Sequence, residues 1–427
     1  MNFSHFCNTR NRFSRRSVVF TVASMGLALR LPAMEPKAAR IRGNDRGKSL
    51  ITLWLSGGPS QLETWDPHPG TSIGGPTRDI STAIEGVRIA EHFPLVAGLL
   101  DRFSIIRSLV SKEGDHERGT HLLKTGYRPD PTLMHPSLGA IVAHRIPSES
   151  LEIPSFITLG SDNFPSTAGY LGAALDPYRV FVPGLSGQNL VANVDAIRQQ
   201  RRLDALDRMT HSFEQGRMES VRRTLHSHTL KEALTLMSSE QLGAFSTAEE
   251  PLAVREAYGD NPFGRGCLVA RRLVETGVRS IEVSLSGFDT HANNFDGHAS
   301  QAAILDPALA TLVGELEQRD LLNSTVLLVI GEFGRTPSIN PLAGRDHWPH
   351  GFSCLVAGSG FVRGKVIGST DPEGIQKMPV DPVNVADLAA TVLDRLGIDF
   401  SHEVTTPVGR PMKLSEGSPV KSLCFDS

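Results

Sequence analysis

Six short apolar runs recur along the chain, at Ser49–Leu55, Phe103–Val110, Ser155–Leu159, Ser280–Leu285, Thr325–Ile330 and Ser353–Ala357. They are mostly continuous in apolar character rather than alternating, so each needs cover on both faces. Segments of helical period lie among them, at Ala90–Asp101, Pro136–Arg145, Gly264–Thr276, Gln301–Arg319 and Asn384–Leu396, the last closed by Gly397. Strands of this kind, separated by helices, predict an α/β fold: a mainly parallel sheet covered by helices on both faces. In such a sheet, ligands collect beyond the carboxyl ends of the strands.

From Asn193 to about Phe245 the chain is charged and nearly free of proline, with Val194, Ile197, Leu203, Leu206, Met209 and Phe213 at roughly helical intervals. This predicts one domain over 49–427 with a helical insertion near 193–255. Lys and Arg number 43 against 46 Asp and Glu in 427 residues, a net charge of −3. That balance excludes a global field for gathering nucleic acid, so an anionic partner has to be attracted by a local site.

The N-terminus carries Ser14, Arg15, Arg16, Ser17, Val18 and Val19, then an apolar stretch to Leu31 and a small residue at Ala33. Paired arginines before a short apolar segment predict a twin-arginine signal over 1–33, a linker over 34–48, and export to the periplasm or another extracytoplasmic space. The export machinery is then a partner. Beyond the signal no apolar stretch is long enough for a stable membrane span. Cys267, Cys354 and Cys424 form no Cys-x-x-Cys pair, which excludes a zinc knot and a dithiol redox motif by spacing.

Four loops beside the strands concentrate histidine and carboxylate. Asp115, His116, Glu117, Arg118 and His121 follow Phe103–Val110; Asp289 and His291, with Asn293, Asn294, Asp296 and His298, follow Ser280–Leu285. Glu332 and Arg335 follow Thr325–Ile330, and Arg345, Asp346, His347 and His350 precede Ser353–Ala357. Imidazole mixed with carboxylate suits zinc or manganese better than calcium, which prefers oxygen throughout. Asp289, His291, Glu332, Asp346, His347 and His121 are the candidate ligands.

The stretch Ser56-Gly57-Gly58-Pro59-Ser60-Gln61-Leu62-Glu63-Thr64-Trp65-Asp66-Pro67, the Asp289-Thr290-His291 loop, Glu332-Phe333-Gly334-Arg335-Thr336-Pro337, and His347 followed by Val356-Ala357-Gly358-Ser359-Gly360 together resemble domain-of-unknown-function family 1501. That family of exported bacterial proteins is similar to the alkaline phosphatase and sulfatase superfamily. The resemblance implies an alkaline-phosphatase-like fold and an exported, metal-dependent hydrolase of sulfate or phosphate esters, acting on an anionic ester or a sulfated polysaccharide. It places Asp289, His291 and His347 at ligand positions, Glu332-Phe333 at an Asp-His pair, and His116 where the superfamily carries a Cys or Ser nucleophile. Ser56 and Gly57 stand where its first-strand aspartate ligand would be. His116 is then a catalytic candidate, with Arg118 or Arg335 offsetting charge on the ester oxygens. The competing expectation is a non-catalytic module of the same fold that binds polysaccharide or a cell-envelope partner.

Overall fold

A computed structural model describes residues 48–184, 194–214 and 226–424. The twin-arginine motif, Ala33 and nearly all of the linker lie outside them. Among the described residues, nine strands form the main sheet: β1 (Ser49–Ser56), β2 (Phe103–Val110), β3 (Phe156–Leu159), β4 (Tyr178–Val180), β5 (Ser280–Ser286), β6 (Thr325–Ile330), β7 (Phe352–Gly358), β8 (Val366–Ile367) and β9 (Val383–Asn384). Their order is β8-β2-β7-β6-β1-β5-β3-β4, with β9 also pairing β2. All pairings are parallel except those of β7, which runs antiparallel to both β2 and β6. The α/β class and the dominance of parallel pairing are as the sequence predicts.

Residue parity decides which helix covers which face. Leu50, Trp54, Val326, Leu328, Ile330, Cys354 and Val356 share one buried cluster with Leu122, Leu123, Leu138, Ile141, Leu388, Val392 and Leu393. Those last residues lie on α1 (His116–Thr125), α2 (Leu138–Arg145) and α5 (Val385–Arg395). On the opposite face Val283 meets α3 (Pro262–Thr276) so closely that a side chain at Gly266 would press into it, and α3 packs on α4 (Asn294–Gln318). Fully burying a Leu, Val or Ile contributes about 1.5–3 kcal/mol, so continuous apolar strands are what a doubly covered sheet selects.

Two helical readings change. Ala90–Asp101 is not a helix: Arg88–Ala90 is a strand, and only the turns Pro94–Ala97 and Leu100–Arg102 are helical. Pro94 starts that first turn and Gly98 ends it. Conversely, α4 begins at Asn294, so the residues around His298 belong to a helix and not to a loop.

The chain divides into two compact units, one comprising Ala38–Leu185 and Gly243–Ser427, the other including Ser186–Leu242. The described part of the latter is helical, at Ala196–Glu214 and His226–Ser238. The first unit contains the whole sheet.

Candidate metal centre

Five strands deliver side chains to one edge of the sheet. β1 runs into Gly57, β2 into the turn before His116, β5 into Asp289 and His291, and β6 into Glu332 and Arg335. Asp346 and His347 come from the segment entering antiparallel β7, with His347–Trp348 paired to Gly334–Arg335 as a two-residue ladder.

Gly57 and Gly58 make the close approach possible. Gly57 has φ +113°, and a Cβ there would lie 2.4 Å from the Asp289 amide nitrogen. Gly58 has φ +76°, and a Cβ would strike the Phe333 ring. Both conformations suit glycine alone. Phe333 forms the floor beneath the imidazoles, with ring centroids 4.4 Å from His347 and 5.1 Å from His116.

Three imidazoles are held in one way. His116 Nδ1 donates to Glu332 Oε1 at 2.8 Å, His291 Nδ1 to Asp346 Oδ1 at 2.8 Å, and His347 Nδ1 to the Gly114 carbonyl at 2.7 Å. A carbonyl or an ionised carboxylate can only accept, so the Nδ1 that meets it is the donor, and in each ring Nε2 is the nitrogen turned inward. The inward nitrogens meet Asp289: His116 Nε2 lies 3.3 Å from Oδ2, while His291 and His347 Nε2 lie 3.2 and 3.4 Å from Oδ1. His291 and His347 Nε2 are 3.0 Å apart.

A proton on one of them, or a metal ion beside both, is what lets two ring nitrogens stand that close. His116 Nε2 is also buried without a hydrogen-bond partner. A tetrahedral ion with bonds of about 2.0–2.1 Å needs donors about 3.3 Å apart, and four of the pairs here lie at 3.0–3.4 Å, His116 through Asp289 Oδ2 and the others through Oδ1 or between rings. The donor set therefore fits a divalent ion. One atom each of His116, Asp289 and His347 lie within 4.8 Å of one another, whereas His291 is near Asp289 and His347 but outside that mutual set.

The acids separate into two layers. Glu332 is buried and gives Oε1 to the Gly57 amide at 2.9 Å as well as to His116; it stands behind His116. Asp346 stands likewise behind His291. Both were expected as ligands; the structure places each against the Nδ1 of a histidine. The hydrogen bond His116 donates to Glu332 raises the His116 pKa against the opposing effect of burial. Burial pushes Asp289 upward, but the Arg335 guanidinium outweighs it and holds the carboxyl below its ordinary value. His347 is held low, chiefly by burial, which keeps the lone pair available.

Arg335 is a correction. It is fully buried, and Nη2 donates to Asp289 Oδ1 at 2.6 Å and to the Gly57 carbonyl, Nε to the Gly58 carbonyl at 2.9 Å, and Nη1 to the Arg345 carbonyl at 3.0 Å. So occupied, it fixes Asp289 and the glycine turn and does not face an ester. Arg118 is also committed elsewhere, through Nε and Nη2 to buried Glu113 at 2.7 and 3.0 Å.

His121 lies outside the cluster. Five residues after His116 on α1, it is turned about 140° round the helix and faces His135, ring centroids 6.3 Å apart. His135 stacks on Tyr127 at 4.1 Å, and burial lowers its pKa to about 4 from 6.5. The unfolded chain therefore takes up a proton on this side chain before the native state does. Stability contributed here is complete above pH 6.5 and falls as pH drops toward 4. His135→Gln is expected to flatten the stability profile across that window, as read by urea midpoints at several pH values; an unchanged slope would exclude His135 as its source.

His298 is structural: Nδ1 faces the Asn294 carbonyl at 2.9 Å, and Nε2 accepts from the Ser60 amide at 2.8 Å. Lys124 was not singled out by sequence, although its ammonium is buried between Asp162 and Glu282 at 2.5 and 2.7 Å. The signal was there: Glu282 is the one charged residue of a largely buried strand and needs a cation.

The family model described as protein of unknown function, DUF1501, matches residues 47–424, and the chain belongs to that family. No curated protein matches it. Similar solved structures include the lipoteichoic acid synthase LtaP from Listeria monocytogenes, 9% identical over 95% of this chain and 82% of the other, TM-score 0.37. The PsFucS1 sulfatase from Pseudoalteromonas sp. is 11% identical over 83% and 68%, TM-score 0.38. A protein in the alkaline phosphatase superfamily from Vibrio parahaemolyticus is 12% identical over 91% and 76%, TM-score 0.35.

Proposed function

We propose that this family member is a metal-dependent hydrolase of sulfate or phosphate esters, with a zinc-class ion held by His116, Asp289, His291 and His347. The observation that carries this reading is the shared orientation of three imidazoles, each anchored at Nδ1 and each presenting Nε2 to one carboxylate. Three nitrogens and a carboxylate suit zinc first and manganese second. The chemistry such an ion supplies is polarisation of an anionic ester and a lowered pKa for an attacking water.

The chain's own part is positioning. Glu332, Asp346 and the Gly114 carbonyl set the three rings, and Arg335 keeps Asp289 ionised and aimed. Among the described residues, no hydroxyl or thiol is hydrogen-bonded to these four side chains. Ser60 is buried, with its Oγ accepting from the Leu62 amide at 3.3 Å, and Cys267 and Cys354 are buried in the core. Direct attack by water follows, without a covalent intermediate. Hydrolysis of a chiral phosphate ester should then invert configuration, and His116→Ala should abolish turnover while the far-ultraviolet dichroism persists. Retention, or a labelled peptide containing Ser56, Ser60 or Thr120, would contradict the reading. That no hydroxyl or thiol among the described residues is bonded to the cluster also favours the non-catalytic alternative, which predicts metal binding with no turnover of any aryl ester.

Export belongs to the same proposal. A receptor that reads paired guanidinium groups distinguishes them from ammonium groups, so Arg15→Lys with Arg16→Lys should leave precursor in the cytoplasm, as seen by fractionation and immunoblot. Unchanged export of the double variant would remove the twin-arginine route. No helix among the described residues is long and apolar enough to cross a membrane.

A further inference from the structure

Shortly after β1, residues 60–66 are polar at five of seven positions, yet every one of the seven is buried. Polar groups so placed need partners, and two of them find theirs in the arms that carry the metal centre. Gln61 Nε2 donates to the Arg335 carbonyl at 2.8 Å and its Oε1 accepts from the Arg335 amide at 3.0 Å, as a neighbouring strand would. Arg335 is the residue paired with His347 in the two-residue ladder. Glu63, 1% exposed, gives Oε1 to Arg345 Nε at 3.2 Å and Nη2 at 2.9 Å, while its Oε2 is buried without a hydrogen-bond partner. Arg345 is itself fully buried, two residues before His347.

Arg345 joins the segments on which the proposed ligands stand. Its Nη1 donates to the Thr336 and Pro337 carbonyls at 3.1 and 2.5 Å, and its Nη2 to the Ile73 carbonyl at 2.6 Å. Its amide donates to the carbonyl of Thr290, the residue between Asp289 and His291, at 3.1 Å, and its carbonyl accepts from Arg335 Nη1 at 3.0 Å. The seat is close: a Cβ on Gly344 would lie 1.9 Å from the His291 carbonyl oxygen. One guanidinium and one peptide thus fix the Asp289-Thr290-His291 loop, the segment 335–337 and the entry to His347 against one another. Among the described residues, Glu63 is the only acid paired with that guanidinium.

Resting on the metal-dependent reading above, we infer that Glu63 is a positioning residue of the centre: through Arg345 it holds His347 and the Asp289-Thr290-His291 loop at the spacing one ion requires. Removing the carboxylate leaves a buried guanidinium with carbonyls alone for partners, an arrangement that drives it to move, and the arm carrying His347 moves with it. Imidazole suits zinc better than manganese, so a displaced His347 weakens zinc more.

The test is calorimetric titration of the full chain with zinc and, separately, with manganese. In Glu63→Gln the zinc Kd is expected to rise about tenfold, the lower end of the range for groups that orient a metal-bound imidazole, because one more residue lies between. The manganese Kd should rise less, narrowing the preference for zinc. Should loss of one charge unfold the chain, Glu63→Leu combined with Arg345→Met leaves no charge unpaired and should show the same weakening. Leu388→Ala, which opens a cavity in the buried cluster that includes α5, is the comparison: it should lower Tm and leave zinc affinity unchanged. Zinc affinity equal to the parent's in the Glu63 variants, a loss matched by Leu388→Ala, or equal losses for both metals would overturn the inference while the metal centre stands. An unaltered protein that binds neither metal would bring down the metal reading and this inference with it.

Discussion

Replacing Arg335 with leucine is expected to lower stability by about 3–5 kcal/mol, chiefly because three carbonyls around the buried guanidinium each lose a charged donor, the Asp289 carboxylate being half exposed. Deletion of the guanidinium leaves the Gly57, Gly58 and Arg345 carbonyls without a donor and Asp289 without its cation. A shift in Tm of about 5 °C should result for a chain of this length. The pH dependence has a defined sign. In the native protein Asp289 is held below its ordinary value, so its contribution is present above the unfolded carboxyl pKa and is lost as pH falls through the depressed native one. Without Arg335, burial is the remaining large influence and pushes the carboxyl upward, so acid unfolding should set in at higher pH. Arg335→Lys keeps a charge but loses the fork, and should fall between the two. Thermal and urea unfolding across the acidic to neutral range measures both effects; an Arg335→Leu variant as stable as the parent would show that Arg335 is not the anchor of this turn.

Removing the ion should have the next largest effect. A ligand that binds only the native state, present at roughly a thousand times its dissociation constant, stabilises by about 4 kcal/mol. Chelation should therefore lower Tm reversibly in the unaltered protein and leave Asp289→Ala or His347→Ala unmoved. Residues behind the ligands should matter less: Glu332→Gln and Asp346→Asn are expected to weaken affinity about 10- to 100-fold, the range for partners that orient a metal-bound imidazole. Zinc titration by calorimetry separates the two groups. Equal losses for Glu332→Gln and Asp289→Ala would put Glu332 among the direct ligands.

Much of this was legible in the chain. The strands were, because a strand buried on both faces has to be apolar at almost every position, and Phe103–Val110 and Thr325–Ile330 fall within the bounds read from sequence. The edge that carries the site was legible from the rule that loops at strand ends hold ligands, which drew Asp289, His291, Glu332 and His347 together across more than fifty residues. Rank within the site was not. Glu332 and Asp289 both follow a strand end, and what separates them is the Gly57 amide, contributed from 275 residues away, which claims Glu332 and leaves Asp289 free to face the imidazoles. Arg335 and Arg118 looked equivalent because a sequence does not state which guanidinium is buried. Asp115 followed by His116 read as a loop cluster, whereas Asp115 caps α1 by accepting from the Arg118 amide at 3.1 Å, and helical geometry then turns His121 away from His116.

The central claim is that His116, Asp289, His291 and His347 hold one divalent ion, and anomalous diffraction at the zinc edge from crystals of the zinc-loaded protein tests it most directly. The account predicts a peak about 2.0–2.2 Å from the Nε2 atoms of the three histidines and from an Asp289 oxygen, with Glu332 and Asp346 beyond bonding distance. No peak at that position in crystals grown with excess zinc, or a peak bonded to Glu332 while the three Nε2 atoms stay free of it, would contradict it.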